Sequence, residues 1–337
     1  MRNKRVCIVP RLSVGSGGPN SFYRNIIKGL TSRDLRTAQG FRDEPYDTVL
    51  VINGTRELGK LYRSKRLGKR IVQRLGNINL LHYYLPIGAR GYLLSLLRNL
   101  IMYYIRSFIA DHIIYQSNFV ENVWNSRYGH TKADTTIIYN GVDLKKFTPE
   151  GPSYKPKADV CIISVEGNQG TDPFDIAVEL AEGLIERGIR TELLMFGNPW
   201  KKSGSRLRQH QFVHFMGSVP NNKLPFFYRG ASFYISTDII TAACPNSVLE
   251  ALACGTPVLG YRTGVLPELL NESAGICVES YGDPWKGEPP RNLDEVVNAA
   301  LKLIAHRDQY RKDARSLAEK RYGLDKMVDA YVETLGL

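Results

Sequence analysis

Between Cys244 and Gly260 the chain reads Cys-Pro-Asn-Ser-Val-Leu-Glu-Ala-Leu-Ala-Cys-Gly-Thr-Pro-Val-Leu-Gly, and Glu250 is the only charged residue in the stretch. Pro245 cannot continue a preceding helix, and Asn246 or Ser247 can cap a new one. That helix carries Val248, Leu249, Ala251, Leu252 and Ala253 and stops at Gly255. Thr256 to Tyr261 then reads as a short buried strand, with Pro257 tolerated at its start. A carboxylate on a helix otherwise built of small apolar residues is costly to bury without a partner. One partner would be a sugar diol, since a carboxylate accepts two hydrogen bonds and the mouth of a parallel sheet is where α/β proteins hold nucleotide riboses. An arginine or solvent would also satisfy it.

Other chemistry-bearing groups stand at the ends of apolar runs. Val6-Cys-Ile-Val9 reads as a first strand and leads into Arg11-Leu-Ser-Val-Gly15-Ser-Gly17-Gly18-Pro-Asn-Ser21, after which Phe22, Ile26, Ile27 and Leu30 take helical spacing. A strand, a glycine-rich turn and a helix N-terminus place backbone N–H groups where they can face phosphate or a bound acceptor; a tight turn alone has the same composition. Tyr46 to Gly54 is a continuous apolar strand ending in Asn53-Gly54, and Lys69 to Asn77 is another ending in Gln73, Arg74 and Asn77. These polar endings are acceptor contacts or loop groups satisfied by water. His82 sits among leucines and tyrosines, as a packed histidine does.

The elements that must carry these groups alternate between strand and helix. Asp159 to Val165, Thr191 to Gly197, Phe212 to Gly217 and Ala231 to Thr237 read as strands, with helices over Ile176 to Leu184, Leu224 to Tyr228, Asp294 to Ala305, Gln309 to Tyr322 and Asp325 to Leu335. The strongly apolar run Tyr92 to Ile109 contains Arg98 and Arg106, eight residues apart and so near one helix face, and reads as a domain helix; insertion into a membrane surface is the other reading. A chain of 337 residues exceeds what one core usually serves. Pro149 to Pro156 is a linker by composition. It sets domains at 1–150 and 151–324, with a last helix at 325–337.

Charge divides unevenly. Residues 1–150 hold 24 Lys and Arg against 10 Asp and Glu, whereas the remainder holds 21 against 23. An anionic partner for the first domain follows. No nucleic-acid recognition module accompanies the charge, which sets nucleic acid aside, and an anionic membrane surface fits better. Five scattered cysteines without a Cys-x-x-Cys spacing point to a reducing, cytoplasmic compartment, at most peripheral to the inner face of the membrane, and to no zinc site.

The run Pro245 to Gly260 resembles the donor-site signature of retaining GT-B glycosyltransferases of family 4, the group 1 glycosyltransferases. Asn140-Gly-Val-Asp143 with Phe147 and Pro149 is similar to the segment that closes the N-terminal domain in that family, and Gly264-Val-Leu-Pro267-Glu268 resembles its Gly-Gly-x-Pro-Glu turn, with Val265 at the second glycine. The resemblance implies an α/β fold of two Rossmann-like domains with parallel sheets facing across a cleft. It implies retaining transfer of a sugar from a UDP- or GDP-sugar to a glycan or lipid-linked acceptor, as in polysaccharide biosynthesis, without metal or other cofactor.

By the same resemblance Glu250 binds the donor ribose, with Asn246, Ser247, Gly264 and Val265 around the donor. Gly17, Gly18, Gly167 and Gly170 border the diphosphate and acceptor, and the polar strand endings Asn53, Gln73, Arg74 and Asn77 are the candidates for the acceptor side. Two departures stand out. Family members carry an Arg and a Lys in the loop that here reads Glu166 to Pro173, and Ala242 occupies the place of the first of two glutamates spaced eight apart. Lys201, Lys202, Arg229 and Arg262 remain to meet the diphosphate's charge, and no residue takes a catalytic general-base role. A GT-B protein that has lost turnover and serves as a partner subunit or sugar-binding module is the alternative.

Overall fold

The computed structural model describes residues 4–11, 18–43, 45–78, 88–165, 174–197, 210–237, 243–282 and 292–337. The chain divides into two compact units, residues 1–141 with 324–337, and residues 142–323.

In the first unit the apolar runs become parallel strands, the inner four buried on both faces as in a doubly wound sheet and the two edge strands partly exposed. They are β1 (Arg5–Val9), β2 (Arg36–Ala38), β3 (Thr48–Ile52), β4 (Arg70–Leu75), β5 (His112–Tyr115) and β6 (Asp134–Ile137). Their order is β2-β1-β3-β4-β5-β6, all parallel. The direction of winding reverses between β1 and β3, the position at which open α/β sheets leave a crevice beyond the strand ends. One face of the sheet packs on α1 (Gly18–Thr31) through Phe22, Ile26 and Leu30, together with the C-terminal helix Leu324–Leu335 through Met327, Val328 and Tyr331. Gly29 permits that contact, since a Cβ there would stand 2.3 Å from Val328 Cγ2. The other face packs on Leu61 of α2 (Leu58–Arg66) and on Ile105 and Ile109.

The second unit holds β7 (Val160–Val165), β8 (Thr191–Phe196), β9 (Val213–Gly217), β10 (Phe233–Ser236), β11 (Val258–Tyr261) and β12 (Gly275–Val278). These parallel strands run β9-β8-β7-β10-β11-β12, with the reversal between β7 and β10. Strands β2 and β12 are short and were not expected from the sequence.

The first unit ends at Gly141, ahead of the linker at Pro149 to Pro156. Residues after Gly141 already belong to the second unit's packing: the Val142 N–H donates to the Tyr322 carbonyl at 2.8 Å, and the Phe147 ring lies 6.4 Å from that of Tyr228. Arg315 donates to the Phe147 carbonyl at 2.8 Å.

The helix read over Tyr92 to Ile109 is α3 (Gly88–Tyr104), continued by a widened π-helical turn, Ile105–Ile109. Arg98 and Arg106 do not share a face. Eight residues overshoot two helical turns by about 80°, and Arg98 is exposed while Arg106 is buried. Arg106 donates to the Tyr115 hydroxyl at 2.8 Å, to Asn125 Oδ1 at 2.7 Å and to the Gly129 carbonyl at 2.8 Å.

Candidate functional site

The donor-site signature folds as helix Asn246–Ala253 followed by β11. Pro245 is the N-cap, with extended backbone at ψ 124°, and no side chain caps the helix. Asn246 is already its first residue. Ser247, expected as a cap alternative, instead accepts a hydrogen bond from the Tyr234 hydroxyl at 3.0 Å, and that hydroxyl also lies 3.4 Å from the Val165 carbonyl. The helix start is thereby tied to the ends of β10 and β7, the two strands between which the second sheet reverses. Gly255, at φ +68°, ends the helix as expected. Arg315 donates to the Ala253 carbonyl at 2.7 Å, a cation at the negative end of the helix.

Glu250 lies midway along this helix and is buried. Its partner is a residue that the sequence did not flag. Asn221 Nδ2 donates to Glu250 Oε1 at 2.8 Å, and the Lys146 ammonium in turn bonds Asn221 Oδ1. Burial raises the carboxyl from its ordinary value of 4.5 to about 7; the Asn221 hydrogen bond, the Lys146 charge and the Tyr228 hydroxyl oppose that shift. The site therefore changes charge near neutral pH, unlike an exposed glutamate. Lys146 belongs to the segment after Asn140-Gly-Val-Asp143, and this position could have been read as a partner. Asn221, in a loop after β9, carries no periodicity or motif that would mark it.

At the end of β11, next to β10 in the sheet, Gly264 turns the chain at φ +57°, and Val265 is the buried N-cap of the short helix Leu266–Leu269. Asn246 and Ser247 stand after β10, and Gly264 and Val265 after β11, its neighbour in the sheet. Gly167, Gly170, Ala242, Lys201 and Lys202 lie outside the described residues. Arg229 and Arg262, considered as counter-charges, are engaged elsewhere. Arg229 donates to the Pro152 carbonyl at 2.8 Å and to that of Thr148 at 3.2 Å, holding the linker, and Arg262 pairs with Glu279 at 2.6 Å.

In the first unit, Gly18 opens α1 beyond β1, while Gly17 and His82 fall outside the described residues. Asn53 closes β3 in the left-handed region at φ +60°, where Asn is among the few tolerated side chains. Its Oδ1 accepts from Gly76 N at 3.0 Å. Gln73 and Arg74 lie in β4 itself and are buried. Gln73 Nε2 donates to the carbonyls of Asn53 at 2.6 Å and Met102 at 3.1 Å. Arg74 donates to Asn140 Oδ1 at 2.8 Å, with its guanidinium 3.8 Å from the centre of the Phe22 ring. Asn77 bonds the N–H of Ile78 at 3.1 Å. These groups knit the strand ends together. All five cysteines are free, and burial pushes the thiols of Cys7, Cys161, Cys254 and Cys277 up, Cys7 and Cys254 to about 12. None of these four is an activated nucleophile.

Two doubly wound parallel sheets, with a carboxylate-bearing helix at the reversal of the second, define a GT-B glycosyltransferase architecture. Solved structures with this fold include sucrose-phosphate synthase from Thermosynechococcus elongatus, at TM-score 0.72 and 15% identity over 99% of this chain and 98% of that one. Another is HepE from Anabaena in complex with UDP-glucose, at TM-score 0.71 and 15% identity over 98% and 99%.

Residues 14–146 match the model of Glycosyltransferase Family 4, and residues 145–306 match that of Glycosyl transferases group 1. The chain belongs to this family, the group 1 glycosyltransferases. Curated relatives include spore coat protein SA of Bacillus subtilis, 19% identical over 64% of this chain and 62% of the relative. The GDP-mannose-dependent alpha-(1-6)-phosphatidylinositol dimannoside mannosyltransferase of Mycobacterium tuberculosis is 23% identical over 62% and 53%. A D-inositol 3-phosphate glycosyltransferase of Acidothermus cellulolyticus is 27% identical over 60% and 52%. The matches span about half to three fifths of the length of these relatives.

Proposed function

We propose that this chain transfers a sugar from a UDP- or GDP-sugar to a glycan or lipid-linked acceptor, with retention at the anomeric carbon and without a metal ion or other cofactor. The observation that carries this reading is Glu250: a buried carboxylate on the helix after β10, held by Asn221 and Lys146 rather than by a short ion pair. Its role is to accept hydrogen bonds from the donor ribose, which favours the ionised form. Asn246, Ser247 and the turn at Gly264 and Val265 border the donor, and backbone N–H groups near Gly18 serve the diphosphate side. Names of similar proteins point the same way, with GDP-mannose in one and UDP-glucose in another. Transfer needs no covalent chemistry from the protein at this site. Fixing donor and acceptor in reacting geometry and compensating the leaving diphosphate's charge supply the rate.

A second reading, a GT-B protein without turnover that acts as a partner subunit or sugar-binding module, is favoured by Ala242 and by the absence of Arg and Lys between Glu166 and Pro173.

Calorimetric titration with UDP, GDP and their common sugar conjugates, with Glu250→Ala alongside, tests the donor site. Binding of one nucleotide that the substitution abolishes supports the transferase reading and names the donor class. Its affinity should rise between pH 6 and pH 8, as Glu250 ionises from about 7, and Glu250→Gln should flatten that rise. If no nucleotide binds the folded wild type, the donor site is dead and the second reading holds. Turnover assays with the nucleotide that binds then separate an active transferase from a sugar-binding module.

A further inference from the structure

Helix α3 is inside out. Its buried residues are Ser95 and Asn99, whereas Leu93, Leu97, Leu100 and Tyr104 face outward, and Phe108 of the π-helical turn extends the line. The spacing, at i, i+4, i+7, i+11 and i+15, puts all five on one stripe. Leu93, Leu100 and Phe108 are 66%, 59% and 62% exposed. Scattered exposed leucines need no explanation, but a continuous outward apolar stripe on a helix whose fully buried residues are Ser95 and Asn99 marks a surface made for an apolar medium.

The charge around the stripe has one sign. From Leu58 to Ala110 the chain holds ten Lys and Arg and no Asp or Glu. Of these, Arg63, Arg66, Arg90 and Arg98 are exposed and form no ion pair among the described residues. The basic end of α2 lies beside the far end of the stripe, because the Lys65 ammonium bonds the Ile109 carbonyl and pairs with Asp111 at 3.0 Å. Tyr62 and Leu67 are exposed there as well. Tyr104 on the stripe and Tyr62 at the basic end of α2 add side chains that suit a boundary between apolar and wet phases.

We propose that this face, the outer stripe of α3 with the basic end of α2, docks the protein in the plane of an anionic lipid bilayer. The leucines and Phe108 enter the headgroup–acyl boundary while Arg63, Arg66, Arg90 and Arg98 meet lipid phosphates. The apolar line matches the acyl boundary and the uniform positive flank matches anionic headgroups. A second copy would fit poorly: packing two such faces together brings like charges against each other with no carboxylate between Leu58 and Ala110 to pair with them. No helix among the described residues is long and apolar enough to cross a membrane, so the contact lies along the surface. The proposal rests on this face alone and stands whatever the donor site binds.

The test is flotation of the full chain with vesicles of phosphatidylcholine alone and of phosphatidylcholine with about three tenths phosphatidylglycerol, beside analytical ultracentrifugation without lipid. The wild type should float with the anionic vesicles, and raising salt from about 0.05 M to about 0.5 M should weaken it. Leu97→Gln with Leu100→Gln should lower the partition on the order of a hundredfold. Arg63→Gln and Arg98→Gln should lower it about fivefold each on anionic vesicles, and leave any binding to neutral ones unchanged. All four positions are exposed, so thermal melts should match the wild type and separate lost binding from lost fold. Failure of the wild type to float with anionic vesicles overturns the proposal. So does a wild-type dimer that the leucine substitutions convert to monomer while flotation is unchanged, which would assign the stripe to a second copy.

Discussion

At the C-terminal edge of the first sheet, Gln73 and Arg74 end inside the protein, bonded to the backbone of Asn53 and Met102 and to the Asn140 amide, with Phe22 under the guanidinium. At the matching edge of the second sheet, Glu250 is bonded by the Asn221 amide and the Tyr228 hydroxyl, and its nearest cation, Lys146, bonds Asn221 and forms no ion pair with it among the described residues. Arg74 and Glu250 are both buried. The first is a permanent cation whose neighbours fix it as structure. The second is a carboxylate raised to about 7, its ionised form under-compensated by the chain itself. A group that the fold leaves short of donors is the one a ligand's hydroxyls can complete; a group already bonded on several sides has little left to offer.

The largest expected effect breaks this contrast at its structural end. Arg74→Ala removes the Asn140 bond, takes the guanidinium off Phe22 and opens a cavity beneath α1, at about 4 kcal/mol of stability. Urea denaturation measures it. An unchanged midpoint with altered acceptor use would instead restore Arg74 to the acceptor side.

The next effect tests the carboxylate. Glu250 binds its proton more tightly folded than unfolded, so the stability it contributes is fully present below 4.5 and is lost as pH rises through about 7. Glu250→Gln should remove that dependence. Relative to the variant, the wild type should lose about 3 kcal/mol between pH 4.5 and pH 8. Denaturation midpoints of the two proteins at pH 5, 6, 7 and 8 give the difference, and a constant offset would show that the carboxylate is solvated in the folded protein.

Much of this arrangement was legible before any coordinates. The strand runs at Val6, Tyr46, Asp159, Thr191 and Ala231, and the helix from Asn246 to Ala253, follow from apolar continuity and from proline and glycine punctuation, which are local signals. The C-terminal helix at Leu324–Leu335 was legible for the same reason. Glu250 was visible as an anomaly because composition alone isolates a carboxylate among alanines and leucines. Its partner was not, since Asn221 reaches it across a sequence separation of 29 and such pairings follow from topology rather than pattern. The apolar run from Tyr92 was recognised as helical, but its polarity was not foreseen. Hydrophobic content predicts that leucines pack, and only the fold reveals that Ser95 and Asn99 took the inner face. Arg74 was placed at the acceptor for a related reason: a basic residue at a strand end reads as a contact until a ring such as Phe22 is found beneath it.

A smaller effect concerns what holds the Glu250 helix in place. Arg315 bonds the Ala253 carbonyl at the helix end and the carbonyl of Phe147, the residue after Lys146. Arg315→Ala should therefore loosen both sides of the site, costing about 2 kcal/mol. It should also lower nucleotide affinity without changing the pH at which that affinity rises, because the residue positions the helix and does not touch the carboxylate.

The smallest effect is the most discriminating. Asn221→Ala deletes the one amide that donates to Glu250 Oε1 and also the link through which Lys146 is held near it. In the protonated carboxyl the loss is slight, because a neutral acid needs little from a donor. In the ionised carboxylate it is the loss of a hydrogen bond to a buried charge, about 1 kcal/mol after local rearrangement. The substitution should therefore be nearly silent at pH 5 and visible at pH 8, and it should move the pH at which nucleotide affinity rises upward. A loss of equal size at both pH values would mean that Asn221 supports the loop after β9 and not the charge on Glu250, and the second sheet's edge would then resemble the first.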